Sequence, residues 1–285
     1  MLYSPPRSVL PASRAPAAWW KQDGPVRLGG PAERSSDMRR LAFAWVLMSM
    51  VMVSFGFAAD AGEQIEVLLI AGDDVAPYHD WREISEKTRE ALMASDRFDV
   101  RVCEDPMFLD SSAALKRYDV IVMTMFHRGT PKMTGQAQEN LLDFVKAGKG
   151  FYVQHLASAS FGKWAAFGKL CGRYWVMGTS GHGPRGVFEA KVVNSDHPIT
   201  KGMKNFKIFD ELYSKLQGDE PIEVLVSAYS DWSKKEEPLV FTTKFGAGRC
   251  VHNALGHDFK AILNPSMQKL IRRGVEWAAT GSVAD

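Results

Sequence analysis

From residue 65 onward the chain alternates continuous apolar runs with amphipathic segments. Residues 65–71 (IEVLLIA) form a β-branched and leucine run that stops at Gly72-Asp73-Asp74, the pattern of a strand buried on both faces. In residues 81–95 the positions Trp81, Ile84, Thr88, Ala91 and Leu92 recur close to helical period. Residues 98–103 alternate as a strand, and 118–124 (YDVIVMT) read as another buried strand. Residues 136–147 are amphipathic and stop at Gly148, after which 150–154 begin a fourth strand. This β-α-β-β-α-β order predicts an α/β fold of three layers, a mostly parallel sheet with helices on both faces. Further strands are expected at 187–193, 222–227, 239–243 and 248–252, with a last helix over 265–279. Between the two halves lies a glycine-rich, aromatic stretch, 161–186. No internal repeat or linker breaks the region, so 62–281 reads as one domain.

The first sixty residues follow a different pattern. Residues 1–37 scatter Pro5, Pro6, Pro11, Pro16, Pro25 and Pro31 among Ser, Ala, Arg and Gly. Such a segment buries too little apolar area to offset its ordering entropy, so a disordered leader or a mis-assigned start is expected. Met38-Arg39-Arg40, the apolar run 41–57 and the small residues Ala58-Ala59-Asp60-Ala61 then follow in the order of a signal peptide. Residues 38–59 are therefore expected to direct export to the periplasm or beyond, with translation starting at Met38. The alternative is a retained single-span anchor, because roughly 17 apolar residues is near the lower limit for a membrane span. Once the signal is cleaved, no membrane association is expected.

Composition narrows the partners. Net charge is +2, and acidic and basic residues are interspersed, which gives no footprint for nucleic acid. Cys103, Cys171 and Cys250 are too few and too widely spaced for a disulfide framework or a zinc ribbon.

In open α/β sheets, ligands bind beyond the carboxyl ends of the strands. His155 directly follows the strand 150–154, at the turn where related architectures project a Ser or Cys nucleophile. No G-x-S-x-G or G-x-C-x-G occurs, so serine-hydrolase and amidotransferase chemistry are disfavoured. His257 lies just past the strand 248–252, and His182 sits in the glycine loop Ser180-Gly181-His182-Gly183-Pro184. His79 precedes the first helix, His127 follows the third strand, and Asp210-Glu211-Leu212-Tyr213 offers two carboxylates and a phenol. Imidazoles at several strand ends suit a metal cage or acid–base work. His197 before Pro198 reads as turn chemistry, and His252 as a structural strand residue. Trp164, Tyr174, Trp175 and Trp232 either fill the core or present faces on which sugar rings pack.

Taken together, HDW (79–81), YDVIVM (118–123), GKGFYVQH (148–155), GHGP (181–184), DHPITKGM (196–203), DELY (210–213), FGAGRCVHNALGHD (245–258) and RRGVEWAATG (272–281) resemble the ThuA-like, or trehalose-utilisation, family. The resemblance spans nearly all of 62–281. It implies a flavodoxin-like, class I glutamine amidotransferase-like fold that lacks the amidotransferase cysteine. It also implies a small-molecule carbohydrate as substrate and a partner oxidoreductase that makes keto-sugars. By position, the polar cleft residues are His155, His182, Glu211 and His257, with His79 near the rim.

The expected catalytic groups are accordingly His155, Glu211 and His257. The expected ligands of a divalent metal such as Zn²⁺ are His155, His182 and His257, and the expected substrate contacts are His79, Trp164, Trp175 and Tyr213. Hydrolysis or isomerisation of a keto-glycoside is the leading reaction. The competing reading is a non-catalytic sugar-binding or scaffold module that uses the same cleft.

Overall fold

The computed structural model describes residues 64–72, 79–128 and 133–284; the leader and signal segments expected over 1–59 lie outside the described residues. Residues 60–285 form one compact unit. Its strands are β1 (Ile65–Ile70), β2 (Phe98–Cys103), β3 (Val120–Met123), β4 (Gly150–Gln154), β5 (Gly186–Val192), β6 (Phe206–Asp210), β7 (Glu223–Ser230), β8 (Lys235–Phe245) and β9 (Gly248–Asn253). Its helices are α1 (Trp81–Met93), α2 (Ser112–Leu115), α3 (Gly135–Lys146), α4 (Ala165–Cys171), α5 (Phe259–Ile262) and α6 (Pro265–Thr280). Among the described residues no helix is long and apolar enough to cross a membrane.

The nine strands among the described residues join one sheet in the order β2-β1-β3-β4-β9-β8-β7-β5-β6. The expected α/β architecture is present, and its parallel part is the five-strand block β2-β1-β3-β4-β9. The other four strands extend the sheet by antiparallel pairing, so the whole is mixed. Two tight turns account for this: Gly246-Ala247 joins β8 to β9, and residues 231–234 join β7 to β8. Such short connections can link only antiparallel neighbours.

Continuous apolar runs make sense once both faces of the sheet are covered. Val67, Leu69, Val120, Val122 and Tyr152 face one core, which α1 and α6 close with Ile84, Leu92, Leu270, Ile271 and Val275. Their sequence neighbours Leu68, Ile70, Ile121, Met123, Phe151 and Val153 face the other, closed by Leu141 and Val145 of α3 and Phe167 and Leu170 of α4. Helix starts follow local signals. The Asp80 side chain accepts from the Glu83 amide at 3.0 Å to open α1, and Asn264 with Pro265 opens α6. Gly150 and Gly274 let α6 approach β4, because a Cβ at Gly150 would lie 2.7 Å from the Ala278 carbonyl carbon.

His252, read as structural, is a buried β9 residue. Its Nδ1 donates to the Cys171 carbonyl at 3.1 Å, while Nε2 is buried without a partner. Burial lowers its pKa from 6.5 to about 4, against the opposing pull of that carbonyl. The unfolded chain therefore binds an extra proton between those two values, so this contribution is complete above pH 6.5 and is lost as pH falls toward 4. His197, which packs on Trp277, is shifted in the same direction by burial. Urea midpoints of metal-free protein should fall between pH 7.5 and pH 4.5, and the fall should be smaller in His252→Gln. Equal slopes in the two proteins would contradict the assignment.

Candidate functional site

Four carboxyl strand ends deliver the polar groups of one cleft. His79 follows β1, His155 follows β4, Glu211 follows β6, and His257 follows β9. One ligand atom from each of these four residues lies within 4.8 Å of all the others. Glu211 Oε2 is 3.1 Å from His257 Nδ1 and 3.5 Å from His155 Nε2. A tetrahedral site with bonds of about 2.0–2.1 Å has ligand atoms roughly 3.3 Å apart, so these two spacings match one, and the rest, all within 4.8 Å, would close to it on binding an ion.

The turns explain how the groups come to point inward. His155 sits at φ 47°, a left-handed conformation that is rare away from glycine. It opens a 3-10 turn over His155–Ala159, which swings the ring into the cleft instead of continuing β4. His155 Nδ1 is 2.7 Å from the Ala254 carbonyl. A carbonyl can only accept, so Nδ1 carries a proton and Nε2 is the nitrogen that faces Glu211. That Nε2 has no hydrogen-bond partner, nor do His257 Nδ1 and both nitrogens of His79, although all are buried. Buried polar atoms left unpaired are costly. Several of them converge beside one carboxylate, a donor set that could hold a metal ion.

Burial lowers the His79 pKa to about 3, helped by the neighbouring imidazoles of His155 and His257. His79 is thus neutral, with a free lone pair. Burial works to raise Glu211, but His155 and His257 outweigh it and hold the carboxyl well below the usual range. One carboxylate and three imidazoles can hold a metal ion.

His182 stands apart from this set. Its Nε2 lies 3.6 Å from the other Glu211 oxygen, Oε1, and its Nδ1 donates to the Gly183 carbonyl at 2.7 Å. It lines the open cleft, a space of about 420 Å³, with His79, Trp175, Glu211, Tyr213 and His257. That volume is in the range of small-ligand sites. Tyr213 is buried and stacks on His155, with ring centres 4.1 Å apart, and Trp175 packs on Tyr213 at 4.6 Å. Burial, then Glu211 and Asp210, push the Tyr213 phenol well above its ordinary pKa.

The structure therefore brings together His155, Glu211 and His257, and it moves His79 from the expected rim into their midst. Trp164 does not line the cleft; it packs on Phe161 and Phe167 in the core below α4. His127 is buried against Phe161, away from the cluster. Trp232 borders a neighbouring groove, where its ring leaves room for no side chain at position 181. Asp210 had no expected role in the site. In β6 the alternation Phe206, Ile208, Asp210 turns those residues inward, and Asp210 is fully buried. Burial raises its pKa, against the pull of His155 and of three backbone amides.

The model of the ThuA family, described as trehalose utilisation, matches residues 66–278. A ThuA-like protein from Parabacteroides merdae is 27% identical, with a TM-score of 0.69 over 78% of this chain and 92% of its own. Another, from Bacteroides uniformis, is 19% identical, with a TM-score of 0.62 over 80% of this chain and 98% of its own. A β-galactosidase from Bacillus circulans is 15% identical, with a TM-score of 0.51 over 75% of this chain and 31% of its own. At under 25% identity, the last two show the fold alone. A search of curated proteins finds no match.

Proposed function

We propose, from the premise that this chain belongs to the ThuA family, that it is an exported enzyme acting on a keto-glycoside or related sugar. In this reading His79, His155, Glu211 and His257 hold a divalent ion, and Zn²⁺ suits an imidazole-rich set. The observation that carries the proposal is the convergence of unpaired imidazole nitrogens on one carboxylate at the base of an open cleft. The ion would polarise a sugar carbonyl. His182 then serves as general base: its ring proton is committed to Gly183, which leaves Nε2 to take the proton from the carbon beside that carbonyl. Loss of that proton is a first step open to both isomerisation and eliminative cleavage of a glycosidic bond. Trp175 offers an aromatic face for the sugar ring. Tyr213, already stacked on His155, serves to hold that imidazole rather than to meet the sugar.

The test compares two histidines under one assay. His79→Ala should lower Co²⁺ or Zn²⁺ affinity by roughly 10- to 100-fold or more. His182→Ala should leave affinity within about threefold while cutting turnover of a keto-disaccharide by roughly 100-fold or more. Full turnover in His182→Ala would remove the base assignment. Binding of oxidised or ordinary disaccharides by the wild type with no product, and with no metal bound, would favour the competing sugar-binding module.

A further inference from the structure

We propose that Asp210 is the positioning residue of this metal centre: it fixes the spacing of Glu211 and His257 and supplies a second negative charge beside the ion. The inference rests on the metal reading above. Asp210 is not one of the four grouped ligands. Its Oδ1 accepts from the Glu211 amide at 2.9 Å and from the His257 amide at 3.0 Å. Its Oδ2 accepts from the Gly256 amide at 2.7 Å. One buried carboxylate thus grips the backbone of two ligands that arrive from β6 and β9, strands separated in the sheet by β8, β7 and β5.

The surrounding loop is shaped to meet it. Gly256 sits at φ +110°, where a side chain would be strained, and a Cβ there would lie 3.1 Å from Gln154 Nε2 and from Met267 Cε. The same loop supplies the Ala254 carbonyl that sets the His155 ring proton. Displacing residues 254–257 would therefore misplace His257 and release His155 together. Charge gives a second reason. Three neutral imidazoles and Glu211 leave a divalent ion with one uncompensated positive charge in a buried setting, which is costly. Asp210 cancels it without occupying a coordination position.

The test is Co²⁺ titration of metal-free wild type and Asp210→Asn, followed by the visible bands of the bound ion and by thermal unfolding of both metal-free proteins. Asn keeps the shape but removes the charge and turns a donor toward an amide. Co²⁺ affinity should fall roughly 10- to 100-fold, with shifted Co²⁺ bands, by far more than any loss of metal-free stability would explain. Affinity within threefold of wild type and unmoved bands would overturn the proposal. A wild type that takes up no Co²⁺ would overturn it together with the metal reading, which separates the two failures. A measurement on the unaltered protein covers a variant that does not fold. Amide exchange in the peptide carrying Gly256 and His257 should slow at least tenfold when Co²⁺ binds, and unchanged exchange would overturn the proposal.

Discussion

Glu211→Gln should abolish metal retention and sugar turnover while leaving the fold in place. The substitution changes one oxygen to an amide nitrogen, but that carboxylate is the anion on which His155, His182 and His257 all converge, at 3.5, 3.6 and 3.1 Å. It is the one charged ligand in the grouped set, so its loss removes the Coulombic attraction for a divalent ion and leaves an amide with donors in the wrong place. Affinity for Zn²⁺ or Co²⁺ should drop by about 100-fold or more. In the proposed reaction the ion and His182 would act on the same carbonyl system, so turnover should drop at least as far. The two cores are packed between the sheet and its helices, so the circular dichroism spectrum should be retained. Wild-type affinity in this variant would remove Glu211 from the ligand set.

Gly248→Ala should produce the largest loss of stability. A Cβ at Gly248 would lie 2.1 Å from the Val145 carbonyl oxygen, 2.6 Å from Val145 Cγ1 and 2.7 Å from the Lys149 carbonyl oxygen. Two of those three atoms are backbone, at the end of α3 and the start of β4, so no rotamer change relieves the overlap. Either β9 slips or α3 lifts from a fully buried core position at Val145. Overpacking of this kind costs about 3 kcal/mol or more. For a domain of this size the melting temperature should fall by roughly 10 °C. Gly135→Ala is the control, since a Cβ there meets nothing within 4 Å. Comparable melting of the two variants would contradict the packing argument.

The parallel half of the fold was legible because its strands carry their own signal. Residues buried on both faces produce runs such as IEVLLI and VIVM, and α1, α3 and α6 show helical spacing next to Asp80, Thr134 and Asn264 caps. The antiparallel half was partly legible: β7 and β8 were expected with shorter bounds and β5 one residue further on, while β6 was not anticipated. Phe206–Asp210 is an edge strand with outward Lys207 and Phe209, and five alternating residues beside a loop give little to separate strand from coil. Missing β6 hid the function of Asp210, since only its alternation turns that carboxylate inward.

The candidate site was legible by type and location more than by membership. His155 and His257 follow strands whose ends could be counted along the chain, whereas Glu211 follows the unanticipated β6 and was singled out only through the Asp210-Glu211-Leu212-Tyr213 run. His79 looked peripheral because residues 71–80 carry no periodicity, and nothing local says that His79 joins the other three residues. His182 was grouped with the ligands by position in the family pattern, whereas its ring stops one Glu211 oxygen short of the group. Trp164 carries no local mark that distinguishes a core aromatic from a cleft aromatic; its stacking on Phe167 decides it.

In the proposed function, strand-end residues of the sheet form a divalent metal centre in the cleft. It is tested most directly by crystals of Zn²⁺-loaded protein measured on either side of the zinc absorption edge. One anomalous peak is expected, bonded to His79, His155, Glu211 and His257 at about 2.0–2.2 Å. A zinc-loaded crystal with no peak among those four residues, or with its zinc held elsewhere, would contradict it.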